Sequence, residues 1–195
     1  MDYTERRVSG ESVFTGGVFS ARRDVAELHN GKLVTREVVE HSGGVVVVPV
    51  TDGRGVVMVR QYRYAVKEEL LELPAGRLEP GEGHPEAARR ELSEETGCEA
   101  DGLRYLGAIY PSPGFCEETL HVYLATGLRS GETHPDEDEF LTVETVPLRE
   151  IRNMIAKNQI KDAKTIAGIY MALLCMDDAA AAGEDGAVEQ ENTRR

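Results

Sequence analysis

Between Gly76 and Cys98 the chain reads Gly-Arg-Leu-Glu-Pro-Gly-Glu-Gly-His-Pro-Glu-Ala-Ala-Arg-Arg-Glu-Leu-Ser-Glu-Glu-Thr-Gly-Cys. Pro85 suits a first helical turn, helix formers run from Glu86 to Thr96, and Gly97 can end the helix in a left-handed cap. At roughly 100° per residue, Glu91, Glu94 and Glu95 share one face, with Ala87 and Ala88 on the turn before them. The opposite face, Glu86, Arg89, Ser93 and Thr96, is polar enough to meet water, so the glutamate face is expected against a sheet, its alanines letting backbone approach. Clustered, partly buried carboxylates repel one another and lose hydration, so they either take up protons or gather cations. Oxygen ligands without a nearby Cys or His pair favour Mg²⁺ or Mn²⁺ over zinc, and such ions bridge carboxylates to phosphate oxygens. The implied substrate is a phosphate ester or anhydride. A bare Glu-x-x-Glu-Glu is more often a solvated face, so the elements around it matter.

Those elements alternate between strands and helices. Val25 to Leu28 and Leu33 to Val39 flank Asn30-Gly31, a hairpin signal. Val45 to Val50 and Val56 to Tyr62 repeat the strand, turn, strand pattern, and a short strand, Leu70 to Leu73, ends at Pro74. After the acidic helix, strands are expected at Leu103 to Tyr110, Leu120 to Ala125 and Leu141 to Val146, with a polar loop from Thr126 to Phe140. Leu148, Ile151 and Ile155, then Ile166, Tyr170, Leu173 and Leu174, mark two closing amphipathic helices. From Asp177 the chain is rich in Ala, Gly and acids without periodicity, which predicts a disordered acidic tail over 177–195. The pattern predicts an α/β layered domain.

The 195 residues suffice for one sizeable core. Lys and Arg total 22 against 35 Asp and Glu, a net charge of -13 that repels a polyphosphate backbone and argues against nucleic-acid binding. The longest apolar run, Val45 to Val50, is far shorter than the ~18 residues of a membrane span, and the polar start is no signal peptide, so a cytoplasmic address is expected. Three cysteines, Cys98, Cys116 and Cys175, suggest neither a disulfide framework nor a zinc site. Cys116 has no His or Asn arrangement placed beside it, and His41, His84 and His121 receive no ligand role.

Gly76, Glu82, Arg90, Glu91, Leu92, Glu94, Glu95 and Gly97 match the Nudix box, with Cys98 standing where an aliphatic residue is usual. The chain thus resembles the Nudix hydrolases, which cleave a nucleoside diphosphate linked to a further group using divalent metal. Arg36-Glu37-Val38-Val39-Glu40-His41, Gln61-Tyr62-Arg63, Glu69 to Gly76, Tyr110 to Phe115 with Pro113, and Asp162-Ala163-Lys164-Thr165 look like the ADP-ribose pyrophosphatase branch, and coverage runs from about Phe14 to Leu174. The resemblance implies a Nudix-type α/β/α sandwich with a mixed sheet over 43–176. It also implies an N-terminal antiparallel hairpin region, 1–42, exchanged between chains of a homodimer. The implied reaction is hydrolysis of ADP-ribose to AMP and ribose 5-phosphate, dependent on Mg²⁺ with Mn²⁺ as substitute. Other nucleoside diphosphate sugars or dinucleotides are the rival substrates, and a non-catalytic Nudix-type binding module is the rival class.

Roles carry over by position. The carbonyl of Ala75 with Glu91 and Glu95 looks like the metal shell, Glu94 like a further ligand, and Glu72 and Glu82 like assistants. Arg90 looks like the arginine that orients these glutamates, and Gly76 is expected to permit the loop geometry presenting the Ala75 carbonyl. Arg36 and Arg63 match positions that hold the diphosphate and the terminal part of the nucleotide. Glu139 matches the loop glutamate that positions the attacking water, with Glu137 its competitor, and Phe14 or Phe19 is offered for stacking on adenine.

Overall fold

The structure is a computed structural model that describes residues 2–131, 133 and 140–192, the side chains of 178–192 excepted. The elements in chain order are β1 (Arg6–Thr15), β2 (Ser20–Glu27), β3 (Leu33–Glu40), β4 (Gly44–Pro49), β5 (Gly55–Arg63), β6 (Glu68–Glu72) and β7 (Ala75–Arg77). Then come α1 (His84–Thr96), β8 (Cys98–Ile109), β9 (Leu120–Ser130), β10 (Leu141–Pro147), α2 (Leu148–Ala156) and α3 (Ala163–Asn192).

Every residue of β4 is buried, as a strand covered on both faces must be. Its valines alternate between two cores: Val46 and Val48 pack with Met58, Leu73, Ile151 and Ile169, whereas Val45 and Val47 pack with Ala87, Ala88 and Leu92. Helices α2 and α3 therefore close one face and α1 the other, which is the expected α/β/α sandwich. The central sheet runs β7-β4-β9-β8, with β4 and β9 parallel and the other pairs antiparallel. A second sheet runs β10-β5-β6, and a third, β1-β2-β3, lies at the N-terminus and meets the rest of the chain at Val39, which exchanges backbone hydrogen bonds with Phe115 and Glu117.

Several local expectations need correcting. The runs that form β4 and β5 read as one strand, turn, strand unit, but each enters a different sheet, the two meeting at the bridge between Val50 and Val56 and the hydrogen bonds between Thr51 and Gly55. β9 continues to Ser130, into the stretch expected to be loop, because β8 begins at Cys98 and supplies partners as far as Ser130. Thr96 is buried, not wet, and its hydroxyl accepts the N–H of Cys98 at 3.1 Å. Within the expected N-terminal strand region, 1–42, the hairpin gains β1 as a third strand, and the three-residue β7 is an addition to the expected strands. The stretch expected as a disordered acidic tail, 177–195, instead continues helix α3 as far as Asn192, its run of alanines being the best of helix formers, and residues 193–195 lie outside the described residues.

Candidate active site

Helix α1 starts at His84-Pro85 and ends on Gly97, whose φ of 67° is the left-handed cap that glycine supplies at little cost. Ala87 and Ala88 are fully buried, so the helix lies close to β4, and Glu91 and Glu95 are carried into the same interface, 8% and 3% exposed. Glu95 accepts the backbone N–H of Ala75 at 3.2 Å. A Cβ on Gly76 would stand 1.9 Å from Glu91 Oε1 and 2.0 Å from its Cδ. Gly76 is thus required for room, and its φ is not in the left-handed region; this corrects the reason expected for it.

Arg90 spends all five of its N–H donors at the site. Nε and Nη2 reach the two oxygens of Glu82 at 2.9 and 3.0 Å, Nη1 reaches Glu91 Oε1 at 2.8 Å and Glu94 Oε2 at 2.9 Å, and Nη2 also reaches the Arg77 carbonyl at 3.1 Å. Hydrogen bonds from Arg90 hold the Glu82 carboxyl below the usual carboxylate range, and those to Glu82 hold the guanidinium firmly protonated. The arginine fixes the carboxylates and has no donor left for a ligand.

A cleft of about 860 Å³ runs along β7, lined by Ala75, Gly76, Glu91, Glu94, Arg63 and Lys164 among others. Arg63 donates through Nε and Nη2 to the two oxygens of Glu72, each at 2.8 Å, and Lys164 bonds the same carboxylate. Burial pushes the Glu72 carboxyl up, but the bonds from Arg63 and Lys164 together outweigh it and leave it below its ordinary value. Sequence reasoning gave Lys164 no role; 92 residues separate it from Glu72, and no local pattern announces the pairing.

The remaining expected residues fall in different places. Gly17 and Val18, on the turn between β1 and β2, line the cleft, and Arg77 Nη1 donates to the Gly17 carbonyl at 3.2 Å. Phe14 and Phe19 flank that turn, half exposed and with ring centroids 5.2 Å apart, but neither is in the described lining of the cleft. Arg36 lies elsewhere, on β3, its fork on Glu5 at 2.8 and 2.9 Å and absent from the described lining of the cleft. Glu137 and Glu139 lie outside the described residues.

Among the described residues no three His, Cys, Asp or Glu side chains form a ready cage for an ion. The donor chemistry fits a hard cation all the same: two glutamates flank the Ala75-Gly76 backbone with oxygens only, and Mg²⁺ or Mn²⁺ characteristically fills its other positions with water and substrate phosphate.

An α/β/α sandwich with a glutamate helix clamped by one arginine along a cleft is the arrangement to set beside known proteins. The NUDIX domain family matches residues 40–169, and the chain belongs to that family. It is 41% identical over 172 residues to the ADP-ribose pyrophosphatase of Bacillus subtilis (strain 168), covering 87% of this chain and 93% of that protein. It is 38% identical over 174 residues to the methanol dehydrogenase activator of Bacillus methanolicus, covering 88% and 94%. A crystal structure of an ADP compounds hydrolase superposes with a TM-score of 0.79 at 23% identity, covering 90% of this chain and 95% of that one, which speaks to the fold. No described helix is long and apolar enough to cross a membrane.

Proposed function

We propose that the chain hydrolyses ADP-ribose to AMP and ribose 5-phosphate in the cytoplasm, with Mg²⁺, or Mn²⁺ in its place. The observation that carries this reading is the Arg90 clamp, which gathers Glu82, Glu91 and Glu94 beside Ala75-Gly76 in a cleft that also holds Arg63. Glu91 and Glu95 with the Ala75 carbonyl would hold the metal, and Glu94 would add a further oxygen. A divalent cation held by these residues would supply positive charge to offset that of the diphosphate and would make an attacking water more acidic. Arg63 keeps three N–H donors beyond the two that Glu72 takes, enough to orient a phosphate, while Glu139, or Glu137 beside it, accepts the proton of the attacking water. Phe14 or Phe19 stacks on the adenine. The 41% identity to an ADP-ribose pyrophosphatase over 87% of this chain supports this substrate over other nucleoside diphosphates.

We also propose a homodimer in which the N-terminal region, 1–42, is exchanged between the main domains, 43–176, so that Arg36 reaches a cleft it does not line in its own chain. The deciding assay incubates the protein with ADP-ribose, ADP-glucose, NADH and diadenosine polyphosphates. The expected result is AMP and ribose 5-phosphate from ADP-ribose at the highest kcat/KM, lost on exhaustive chelation and restored by Mg²⁺. Turnover that survives chelation, or a clear preference for another substrate, overturns the reading.

A further inference from the structure

Two cations meet one buried carboxylate at the edge of the cleft. Glu72 is 1% exposed, and Arg63 alone already engages both of its oxygens. Lys164 Nζ nevertheless bonds Glu72 Oε2 and pairs with Asp162 Oδ2 at 3.0 Å, its side chain only 16% exposed. Its position is pinned from both sides. Thr165, fully buried, accepts the backbone N–H of Leu73 through Oγ1 at 2.9 Å, and Asp162 Oδ2 accepts the N–H of Thr165 at 2.9 Å. The start of α3 is thereby locked to the end of β6, three residues before Ala75.

Burying a lysine is unfavourable, and neutralising Glu72 does not require it. Arg63, Lys164, Glu72 and Asp162 together carry no net charge, which lets the cluster stay inside, yet their donors are not exhausted. An ammonium has three N–H groups for two carboxylates here, and the guanidinium has five, of which Glu72 takes two. Arg63, Asp162 and Lys164 all line the cleft that Glu91 and Glu94 line. Cations lie close to the carboxylates that would hold metal, the arrangement a diphosphate needs in an otherwise acidic protein.

We propose that Lys164 is a substrate-binding residue, its ammonium held by Glu72 next to Arg63 so that the two cations together take the diphosphate, and that Glu72 is the positioning residue for both. The proposal rests on the hydrolase reading for the identity of the substrate, but its test needs only a diphosphate. Lys164→Gln keeps an amide donor for Glu72 and removes the charge; Lys164→Arg keeps the charge. Binding of inorganic pyrophosphate is measured by calorimetry with chelator present, and ADP-ribose kinetics with Mg²⁺. The Gln variant is expected to weaken pyrophosphate binding and raise KM by about tenfold, the scale of one charge-assisted hydrogen bond, with kcat little changed, and the Arg variant to recover most of both. A purely structural lysine would instead lower the melting temperature of Lys164→Gln and leave its pyrophosphate Kd unchanged, which overturns the proposal. Should the Gln variant not fold, Lys164→Met, which leaves the Arg63–Glu72 fork intact, carries the same comparison. Wild-type protein that binds pyrophosphate through Lys164 but does not cleave ADP-ribose sinks the hydrolase reading alone. Wild-type protein that cleaves it, with a variant Kd and KM like its own, sinks the Lys164 proposal alone.

Discussion

At the scale of single residues the site is a problem of room and charge. The Glu91 carboxylate occupies the space a side chain would take at Gly76, where a Cβ would lie 1.9 Å from Oε1. Gly76→Ala therefore forces Glu91 aside. The obstacle is the end of a side chain, not backbone, so the fold accommodates it while the carboxylate leaves its place. Isothermal titration with Mn²⁺ is expected to show metal affinity falling by at least about tenfold, the range seen when a metal ligand loses its support, with the melting temperature lowered by only a few degrees. Unchanged metal affinity would show that Glu91 holds no ion. The glutamates, Arg90 and Gly76 were all legible in the sequence, because a helix converts spacing into direction. The steric reason for Gly76 was not, since it depends on a side chain from another element. Glu82, expected as an assistant, gives its two oxygens to Arg90.

At the scale of elements, what could be read was local and what could not was pairing. Helix α1 and the β2–β3 hairpin follow from caps, period and an Asn-Gly turn, and both stand where those signals put them. Strand β1 escaped because bulges between Arg7 and Ser9 and between Ser12 and Phe14 break its alternation, and β7 is only three residues long. The histidines are a second case. His84 at the start of α1 stacks on His121 of β9, ring centroids 4.1 Å apart, with Tyr105 and Tyr123 around them. His121 Nδ1 stands 3.2 Å from the Tyr105 hydroxyl. Burial first, and then the neighbouring His84, push the His121 imidazole below its ordinary 6.5. A depressed folded value means the unfolded chain binds the proton more readily, so stability is full above about 6.5 and is lost as pH falls through the folded value. Thermal melts between about pH 7.5 and 5.5 should show the midpoint dropping on the acid side, and His121→Gln should flatten that slope. An equal slope in the variant would place the titration elsewhere.

The whole molecule is two bodies of different character. The sandwich buries β4 completely, whereas all ten residues of β1 are exposed, and the N-terminal sheet leaves Val8, Val13, Val18 and Leu33 in water. A three-stranded sheet this open has little core of its own, and a second copy of the chain is the cover the proposed homodimer provides. Light scattering should then give twice the 21.4 kDa chain mass. Mixing inactive variants tests the exchange directly. Arg36→Ala removes a residue that does not line its own chain's cleft, and Glu95→Gln disables the cleft itself. If each cleft takes Arg36 from the other chain, a mixed dimer rebuilds one site with both residues intact and one with neither. Equal amounts refolded together should then recover about a quarter of wild-type activity, because half the dimers are mixed and each has one working site. If Arg36 serves its own chain, both sites of the mixed dimer carry one defect, and the mixture stays as inactive as its parents.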